Sequence, residues 1–210
     1  MILIGQYDSP FVRRVGIALS EWGLPFEHRR WSVWGDADKI ATYNPLRRVP
    51  TLVLDDGTAV LDSGAILDAL DEMVGPTRAL LPREGAARRD ALRVIALGTG
   101  TADKAVSLLY EPLHHDHPSE RWIARCKLQI ADGLRALEAD RAARPTDWWL
   151  GPALSHADVA VACMLRFVRE AHPALFAEAH HPQLAAHAAR CEARTSFRQI
   201  AQPIVNQLAR

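Results

Sequence analysis

The first residues of this sequence whose types and spacing could do chemistry are Ser9 and Pro10. They follow the apolar run 2–4, which predicts a strand, and precede apolar residues spaced three and four apart, which predict a helix. Serine suits a helix N-cap because its hydroxyl accepts an unpaired backbone N–H, and proline suits the first helical position. Helix N-termini also favour anions. The pattern therefore predicts either a simple cap or a site that holds negative charge on a ligand.

Two further segments carry candidate binding groups where predicted strands begin or end. Asp62 and Ser63 stand between a strand and a helix, so one of them caps that helix, and the aspartate could pair with an ammonium group. Pro50 opens a strand, and a cis bond before it would turn the Val49 backbone outward, where it could pair with an extended peptide. In isolation, plain capping explains Asp62 and Ser63 equally well, and an ordinary trans bond is the expectation for Pro50. Together with Ser9, however, they mark strand ends of one small sheet, which is where open α/β sheets bind ligands.

A histidine-rich stretch, His114-His115-Asp116-His117, lies between two prolines in a predicted loop. Metal ligands more often come from positions i and i+4 of a helix, or from distant segments. We therefore predict no metal site. The three cysteines, Cys126, Cys163 and Cys191, are odd in number and lack a CxxC pair. This usage indicates buried thiols in a protein of the reducing cytoplasm.

Composition excludes several classes of function. The 210 residues carry 25 basic and 25 acidic side chains, so the formal net charge is zero. This balance gives no indication of binding to nucleic acid or to a membrane surface. No apolar run approaches the roughly 20 residues of a membrane span. The N-terminal residues do not resemble a secretory signal. We expect a protein with no nucleic-acid or membrane partner.

The elements that must position the candidate residues fall into two regions. Residues 1–76 predict the order β-α-β followed by β-β-α, with the second strand within residues 26–33 and a hairpin near residue 57. Glycine and proline concentrate in residues 75–85, which predicts a linker at 77–85. Helical periodicity then continues through residues 86–210, with helices at 86–110, 119–144, 155–170, 182–192 and 196–208. Ser155 and Asp158 form a predicted capping box before a helix that is apolar nearly all round, which belongs at the centre of its domain.

The order of these motifs resembles that of the cytosolic glutathione transferases, over essentially the whole chain. The matching motifs run in sequence order: Ser9-Pro10-Phe11-Val12-Arg13-Arg14-Val15, Asn44-Pro45, Val49-Pro50-Thr51-Leu52, Leu61-Asp62-Ser63, Trp149-Leu150-Gly151 and Leu154-Ser155-His156-Ala157-Asp158-Val159. Each motif is weak alone, but their order and spacing are specific. The resemblance implies an α/β thioredoxin-like N-terminal domain with a mixed sheet, joined to an all-α C-terminal domain.

In that family, glutathione is the co-substrate and the protein activates its thiol. The resemblance implies that Ser9 hydrogen-bonds the sulfur, that Val49 before a cis Pro50 pairs with the cysteinyl backbone, and that Asp62 with Ser63 holds the γ-glutamyl end. Phe11 and Arg48 are the remaining residues expected at glutathione. Lowering the pKa of a thiol by one to two units requires roughly 1.4–2.7 kcal/mol of preferential stabilisation of the anion, which a charge-assisted hydrogen bond and a helix N-terminus can supply.

Some residues depart from the family pattern or compete with these assignments. Asp62 stands where glutamate is more usual, and Arg48 where many members have glutamine or lysine. Tyr7 is a rival hydroxyl, although Ser9 matches the Ser-Pro pattern better. Position 9 is not the cysteine of members that form mixed disulfides, so the bound glutathione itself is the expected nucleophile.

The resemblance thus implies a cytoplasmic, homodimeric detoxification enzyme that joins glutathione to small hydrophobic electrophiles without a metal. Trp34 and Tyr110 are the candidates for the electrophile pocket. Two alternatives stay open. One is a non-catalytic binding or stress-regulatory module with the same fold, and the other is a glutathione-dependent peroxidase or isomerase.

Overall fold

The computed structural model describes residues 1–204, which divide into two compact units. The first unit spans Met1–Arg83 and also includes Arg194–Pro203, whereas the second spans Glu84–Ala193 and includes Ile204. Periodicity alone assigns every residue after 86 to the helical domain. The structure instead packs Arg194–Pro203 into the first unit, because polar groups of this segment pair with that unit's first helix.

The helices within residues 1–204 run from α1 to α8 in chain order. They are α1 (Pro10–Trp22), α2 (Ala37–Ala41), α3 (Ser63–Val74), α4 (Gly85–His114), α5 (Glu120–Ala142), α6 (His156–Ala171), α7 (Pro182–Glu192) and α8 (Thr195–Gln199), with a short 3-10 helix at Pro173–Leu175.

The first unit is built on a four-stranded mixed sheet. Its strands are β1 (Ile2–Ile4), β2 (Glu27–Arg29), β3 (Thr51–Val53) and β4 (Ala59–Leu61), arranged in the order β2-β1-β3-β4. β1 runs parallel to β2 and antiparallel to β3, which pairs antiparallel with β4. The predicted βαβ-ββα order and mixed sheet of a thioredoxin-like domain are confirmed.

Strand β2 is shorter than the predicted run 26–33, because the chain turns after Arg29. The backbone N–H of Ser32 donates to the Asp36 carboxylate at 3.0 Å, and the Asp36 N–H donates to the Ser32 carbonyl at 2.9 Å. These bonds close a loop where the sequence predicted that strand β2 continues. Trp34 lies in this loop with 52% of its surface exposed.

Helix α1 follows its sequence pattern closely. Val12, Val15, Leu19 and Trp22 are buried, as the three-and-four spacing predicts. Gly23 ends the helix in the left-handed conformation at φ +63°, and its N–H donates to the Ser20 carbonyl.

The second unit consists of helices packed around α6, most of whose residues are buried, so the prediction of a central helix is confirmed. α4 continues through Pro112 to His114, whereas the sequence suggested a helix end at Tyr110. His114 is therefore helical, and the rest of the histidine cluster follows in a loop. The predicted helix 196–208 is represented by α8 alone. Residues 200–204 are not helical, and the remainder lies outside the described residues.

Candidate functional site

Ser9 caps α1, as its position predicts. Its backbone is extended, and its hydroxyl accepts the Val12 N–H at 3.4 Å. That distance is longer than the usual range of about 2.7–3.2 Å for an N–H···O bond. The hydroxyl lies at the positive end of a 13-residue helix, and its side chain is partly exposed. The long distance shows that the cap bond holds it only weakly. An anion placed there would gain both a hydroxyl donor and the helix field.

Tyr7, the rival hydroxyl, is buried with 7% exposure and stacks on His28, with ring centroids 3.8 Å apart. Burial raises the pKa of Tyr7 to about 12, although the nearby Arg30 charge acts in the opposite direction. The phenol is therefore neutral at physiological pH and sits in the packing between α1 and the sheet. Of the two hydroxyl side chains, that of Ser9 is the more accessible.

The second candidate segment meets the first at Gly5. The Val49-Pro50 peptide bond is cis, and Gly5, just after β1, has φ +128°, a conformation that side-chain-bearing residues rarely adopt. A Cβ atom at Gly5 would lie 2.5 Å from Val12 Cγ2 and 2.8 Å from Val49 Cβ. The first turn of α1 and the residue before Pro50 therefore approach each other across a glycine that leaves room for both.

Asn44 holds the loop that presents Val49. It is buried, and its side-chain amide donates to the Arg48 carbonyl at 2.8 Å and to the Thr51 hydroxyl at 3.1 Å. Its oxygen accepts the Leu46 N–H at 3.0 Å. Through these three bonds Asn44 closes the chain between α2 and β3. Arg48 itself is exposed, so its guanidinium is accessible to a carboxylate in solution.

The third candidate segment lies at the start of α3. Asp62 is the N-cap at φ +69°, and one of its carboxylate oxygens accepts the Gly64 N–H at 2.7 Å. Ser63 is buried. Arg14, on α1, reaches the same turn, since its Nη2 would lie 3.8 Å from a Cβ atom at Gly64. All three predicted segments thus adjoin α1: one begins it, one packs against its first turn, and one lies beside Arg14.

Sequence reasoning did not single out Gly5 or the placement of Arg14. A glycine directly after a strand and before a tight turn was the available signal for Gly5. Arg14 gave no comparable signal, because arginine usually lies at the surface and only the fold buries it.

The remaining predicted residues are distributed over both units. Phe11 is partly exposed in the first turn of α1, and Trp34 is exposed in the loop after β2. Tyr110 belongs to the second unit, on α4, where its ring meets His114 edge-on at 5.3 Å. The roles of these residues stay predictions.

Within residues 1–204 the side chains form no group of three or more His, Cys, Asp or Glu that could hold a metal ion. Among the same residues, no helix combines the length and apolar character required to cross a bilayer. The three cysteines are buried, as predicted, and burial raises the pKa of the Cys191 thiol far above its usual range. Cys191 is therefore unsuited to act as a nucleophile.

Comparison with known proteins places the chain in a family. The model of the glutathione S-transferase N-terminal domain matches residues 8–73, and that of the C-terminal domain matches residues 120–190. An uncharacterized GST-like protein of Escherichia coli, YibF, is 32% identical over 139 residues, which are 66% of this chain and 68% of that protein. A probable glutathione S-transferase of rice is also 32% identical, over 67% of this chain but only 61% of its own length.

A crystal structure matches nearly the whole chain. The glutathione S-transferase of Methylobacterium radiotolerans, in complex with glutathione sulfonate, has a TM-score of 0.88 and 33% identity and covers 98% of both chains. The similarity thus extends over the thioredoxin-like unit and the helical unit together. The chain belongs to the glutathione S-transferase family.

Proposed function

We propose that this protein is a glutathione transferase in which Ser9 holds the sulfur of glutathione as a thiolate for attack on a small hydrophobic electrophile. The observation that carries the proposal is the convergence on α1 of three segments: the Ser9 cap, Val49 where it packs beside Val12 at Gly5, and the Asp62 cap of α3. Each offers the chemistry that one part of a γ-Glu-Cys-Gly tripeptide needs.

At the sulfur end, the Ser9 hydroxyl accepts the long bond from the Val12 N–H through its oxygen, so its hydrogen is available to donate to sulfur. A hydrogen bond to an ionised acceptor is roughly twice as strong as a neutral one, and the α1 N-terminus adds a favourable field. Together these effects supply the roughly 1.4–2.7 kcal/mol that lowers the pKa of a thiol by one to two units. The relative crystallised in complex with glutathione sulfonate supports a glutathione site in this chain.

The rest of the tripeptide is held by backbone and charge. The Val49 N–H and carbonyl pair with the cysteinyl backbone as an added strand would. The Asp62 carboxylate meets the γ-glutamyl ammonium, and the N–H groups at the start of α3, with Ser63, meet its carboxylate. Arg48 is exposed next to Val49 and meets the glycyl carboxylate, while Phe11 covers the first turn of α1.

The thiolate forms a carbon–sulfur bond to the electrophile, and the electron pair of the broken bond leaves with the departing group. Trp34, exposed in the first unit, offers aromatic surface to the electrophile, and Tyr110 on α4 of the second unit is a separate candidate. We place the enzyme in the cytoplasm as a homodimer with a role in detoxification, and a peroxidase or isomerase reaction would use the same thiolate.

The proposal is tested by titrating the thiol of bound glutathione by its thiolate absorbance. We expect the thiol pKa in the parent to lie one to two units below that of free glutathione, and Ser9→Ala to restore most of the difference. The matched control is Tyr7→Phe, which removes the other hydroxyl and should leave the thiol pKa unchanged. If Tyr7→Phe alone abolished the lowering of the thiol pKa, the residue in contact with the sulfur would be Tyr7 and not Ser9. Glutathione binding without any shift in the parent would favour the non-catalytic binding module.

A further inference from the structure

The structure assigns Arg13 as a positioning residue for Ser9: its guanidinium anchors the first turn of α1 to the segment Arg194–Pro203. This inference rests on the proposed role of Ser9 at the glutathione sulfur. Arg13 is only 1% exposed. Its Nε donates to the Ile200 carbonyl at 2.9 Å, its Nη2 donates to the Phe197 carbonyl at 3.0 Å, and the guanidinium lies 5.6 Å from the centre of the Phe197 ring.

A buried charge is stable only where hydrogen bonds replace its hydration. Two carbonyls and an aromatic face supply that replacement here, and a guanidinium presents its donors in a rigid planar arrangement. The position of Arg13 is therefore tied to the path of the chain at Phe197 and Ile200. Lysine, with a flexible point charge, could not satisfy both carbonyls in the same way.

The anchored residue is bonded directly to Ser9. The Arg13 backbone N–H donates to the Ser9 carbonyl at 2.9 Å, forming the first bond of α1. The side chain of Arg13 therefore holds this residue in place, and its backbone N–H in turn holds the Ser9 carbonyl. Any movement of Arg13 away from the C-terminal segment changes where the Ser9 hydroxyl points.

A second contact connects the same segment to the loop that precedes Ser9. A Cβ atom at Gly16 would lie 2.8 Å from Ile200 Cγ2 and 2.9 Å from Tyr7 Cε1. Ile200 and Tyr7 thus pack together on a glycine of α1. The C-terminal segment supports both the helix turn after Ser9 and the residue two positions before it.

The far end of α1 provides a matched control. Glu21 accepts hydrogen bonds from Arg194 Nε at 2.9 Å and Nη2 at 2.6 Å, and also pairs with the Ser196 hydroxyl. Glu21 lies twelve residues after Ser9, or about 18 Å along the helix. Glu21→Gln therefore weakens the hold on the same segment without touching the turn that carries Ser9.

The test compares Arg13→Met, Arg13→Lys and Glu21→Gln. We expect Arg13→Met to raise the thiol pKa of bound glutathione by about 0.5–1 unit, a three- to ten-fold change in the ionisation constant. Affinity for S-methylglutathione, which has no thiol to ionise, should change less than about two-fold. Arg13→Lys keeps the charge but not the paired geometry, so we expect a rise in the same direction. Glu21→Gln should match the parent.

When the parent lowers the thiol pKa, three results would overturn the inference: an unchanged thiol pKa in Arg13→Met, an equal rise in Glu21→Gln, or a parental pKa in Arg13→Lys, which would show a simple charge effect. If Arg13→Met does not fold, Arg13→Lys against Glu21→Gln carries the comparison. Hydrogen exchange of the Arg13 amide in the ligand-free protein separates this inference from the proposed function. Faster exchange in both Arg13 variants but not in Glu21→Gln supports the anchor even if the parent fails to lower the thiol pKa, and unchanged exchange contradicts it.

Discussion

His187 Nδ1 lies 3.9 Å from an oxygen of the Asp158 carboxylate, and neither side chain is exposed. The other ring nitrogen, Nε2, lies 3.3 Å from the Asp158 carbonyl and 3.5 Å from Cys191 Sγ. Burial lowers the pKa of His187, and although Asp158 acts to raise it, the charges of Arg141 and Arg190 act in the same direction as burial. The folded protein therefore keeps a neutral imidazole beside a capping carboxylate.

We predict that this histidine makes the protein less stable in mild acid. The unfolded chain protonates His187 near its ordinary pKa of about 6.5, whereas the folded protein protonates it only at lower pH. Its contribution to stability is therefore complete above about pH 6.5 and decreases as the pH falls toward the folded-state pKa. Uptake of one extra proton on unfolding corresponds to a slope of up to about 1.4 kcal/mol per pH unit.

The measurement is the free energy of unfolding in urea between about pH 5 and 8. Burial also lowers the pKa values of His28 and His172, so the parent slope contains all three contributions. His187→Gln should reduce the slope, whereas His117→Gln, at an exposed loop position, should leave it unchanged. An identical slope in His187→Gln and the parent would contradict the prediction.

Asp158 is predicted to be among the most costly residues to replace in the helical unit. Its carboxylate accepts the Trp149 N–H at 2.7 Å, the Ser155 N–H at 2.8 Å and the Ser155 hydroxyl at 2.6 Å, all in the interior. Asp158→Ala leaves these donors buried and unpaired, so we expect a loss of roughly 3–5 kcal/mol in urea unfolding. Asp116→Ala, at an exposed position, should cost less than about 0.5 kcal/mol. A loss below 1 kcal/mol in Asp158→Ala would show that the capping box is dispensable.

Arg144 joins the start of α4 to the end of α5 through a network of carboxylates. It donates to both oxygens of Asp90, at 2.8 and 3.0 Å, and to Asp140, which also accepts the Trp149 indole N–H at 2.6 Å. Although burial acts to raise the pKa of Asp140, hydrogen bonds from Arg144, Trp149 and Arg93 hold it at about 2. These groups therefore act as one ionised network.

We predict that Arg144→Met lowers the free energy of unfolding by roughly 2–4 kcal/mol, because it leaves two carboxylates short of their partner in a partly buried site. The matched control is Arg135→Met. Arg135 pairs with Asp132 at 2.6 Å, but both side chains are more than half exposed, so this change should cost less than about 1 kcal/mol. Equal losses of unfolding free energy in the two variants would contradict a stabilising role for the Arg144 network.

The features predictable from sequence were those set by local chemistry. Ser9 and Asp62 cap their helices because a short polar side chain can reach its own helix, whatever surrounds it. The amphipathic pattern of α1 and the apolar run of α6 depend only on the face each helix buries. Such signals need no knowledge of distant residues.

The features that the sequence did not reveal depend on partners far along the chain. Arg13 looks like a surface residue until Phe197 and Ile200 supply its acceptors, 184 and 187 residues later. α8 carried a helical pattern typical of the second unit, yet its polar contacts assign it to the first. The length of β2 depended on the turn at Asp36, since side-chain hydrogen bonding there competes with the ladder.

The close approach of Val12 and Val49 depends on the lack of a side chain at Gly5. Gly5→Ala would place Cβ 2.5 Å from Val12 Cγ2 and 2.8 Å from Val49 Cβ, in a backbone conformation at φ +128°. Both the contacts and the backbone oppose the change, so we expect a loss of roughly 2–4 kcal/mol in stability and at least ten-fold weaker glutathione binding by calorimetry.

Gly57 provides the control for the backbone term. It also has a positive φ, +88°, but a Cβ atom there meets nothing within 4 Å. Gly57→Ala should therefore show the cost of the conformation alone, about 1–2 kcal/mol, with unchanged affinity for glutathione. The difference between the two variants measures the steric cost of a Cβ atom at Gly5. That atom pushes Val12 and Val49 apart and so displaces the Ser9 turn from the residue before Pro50. If both variants bind glutathione like the parent, the contact between these two segments does not shape the site.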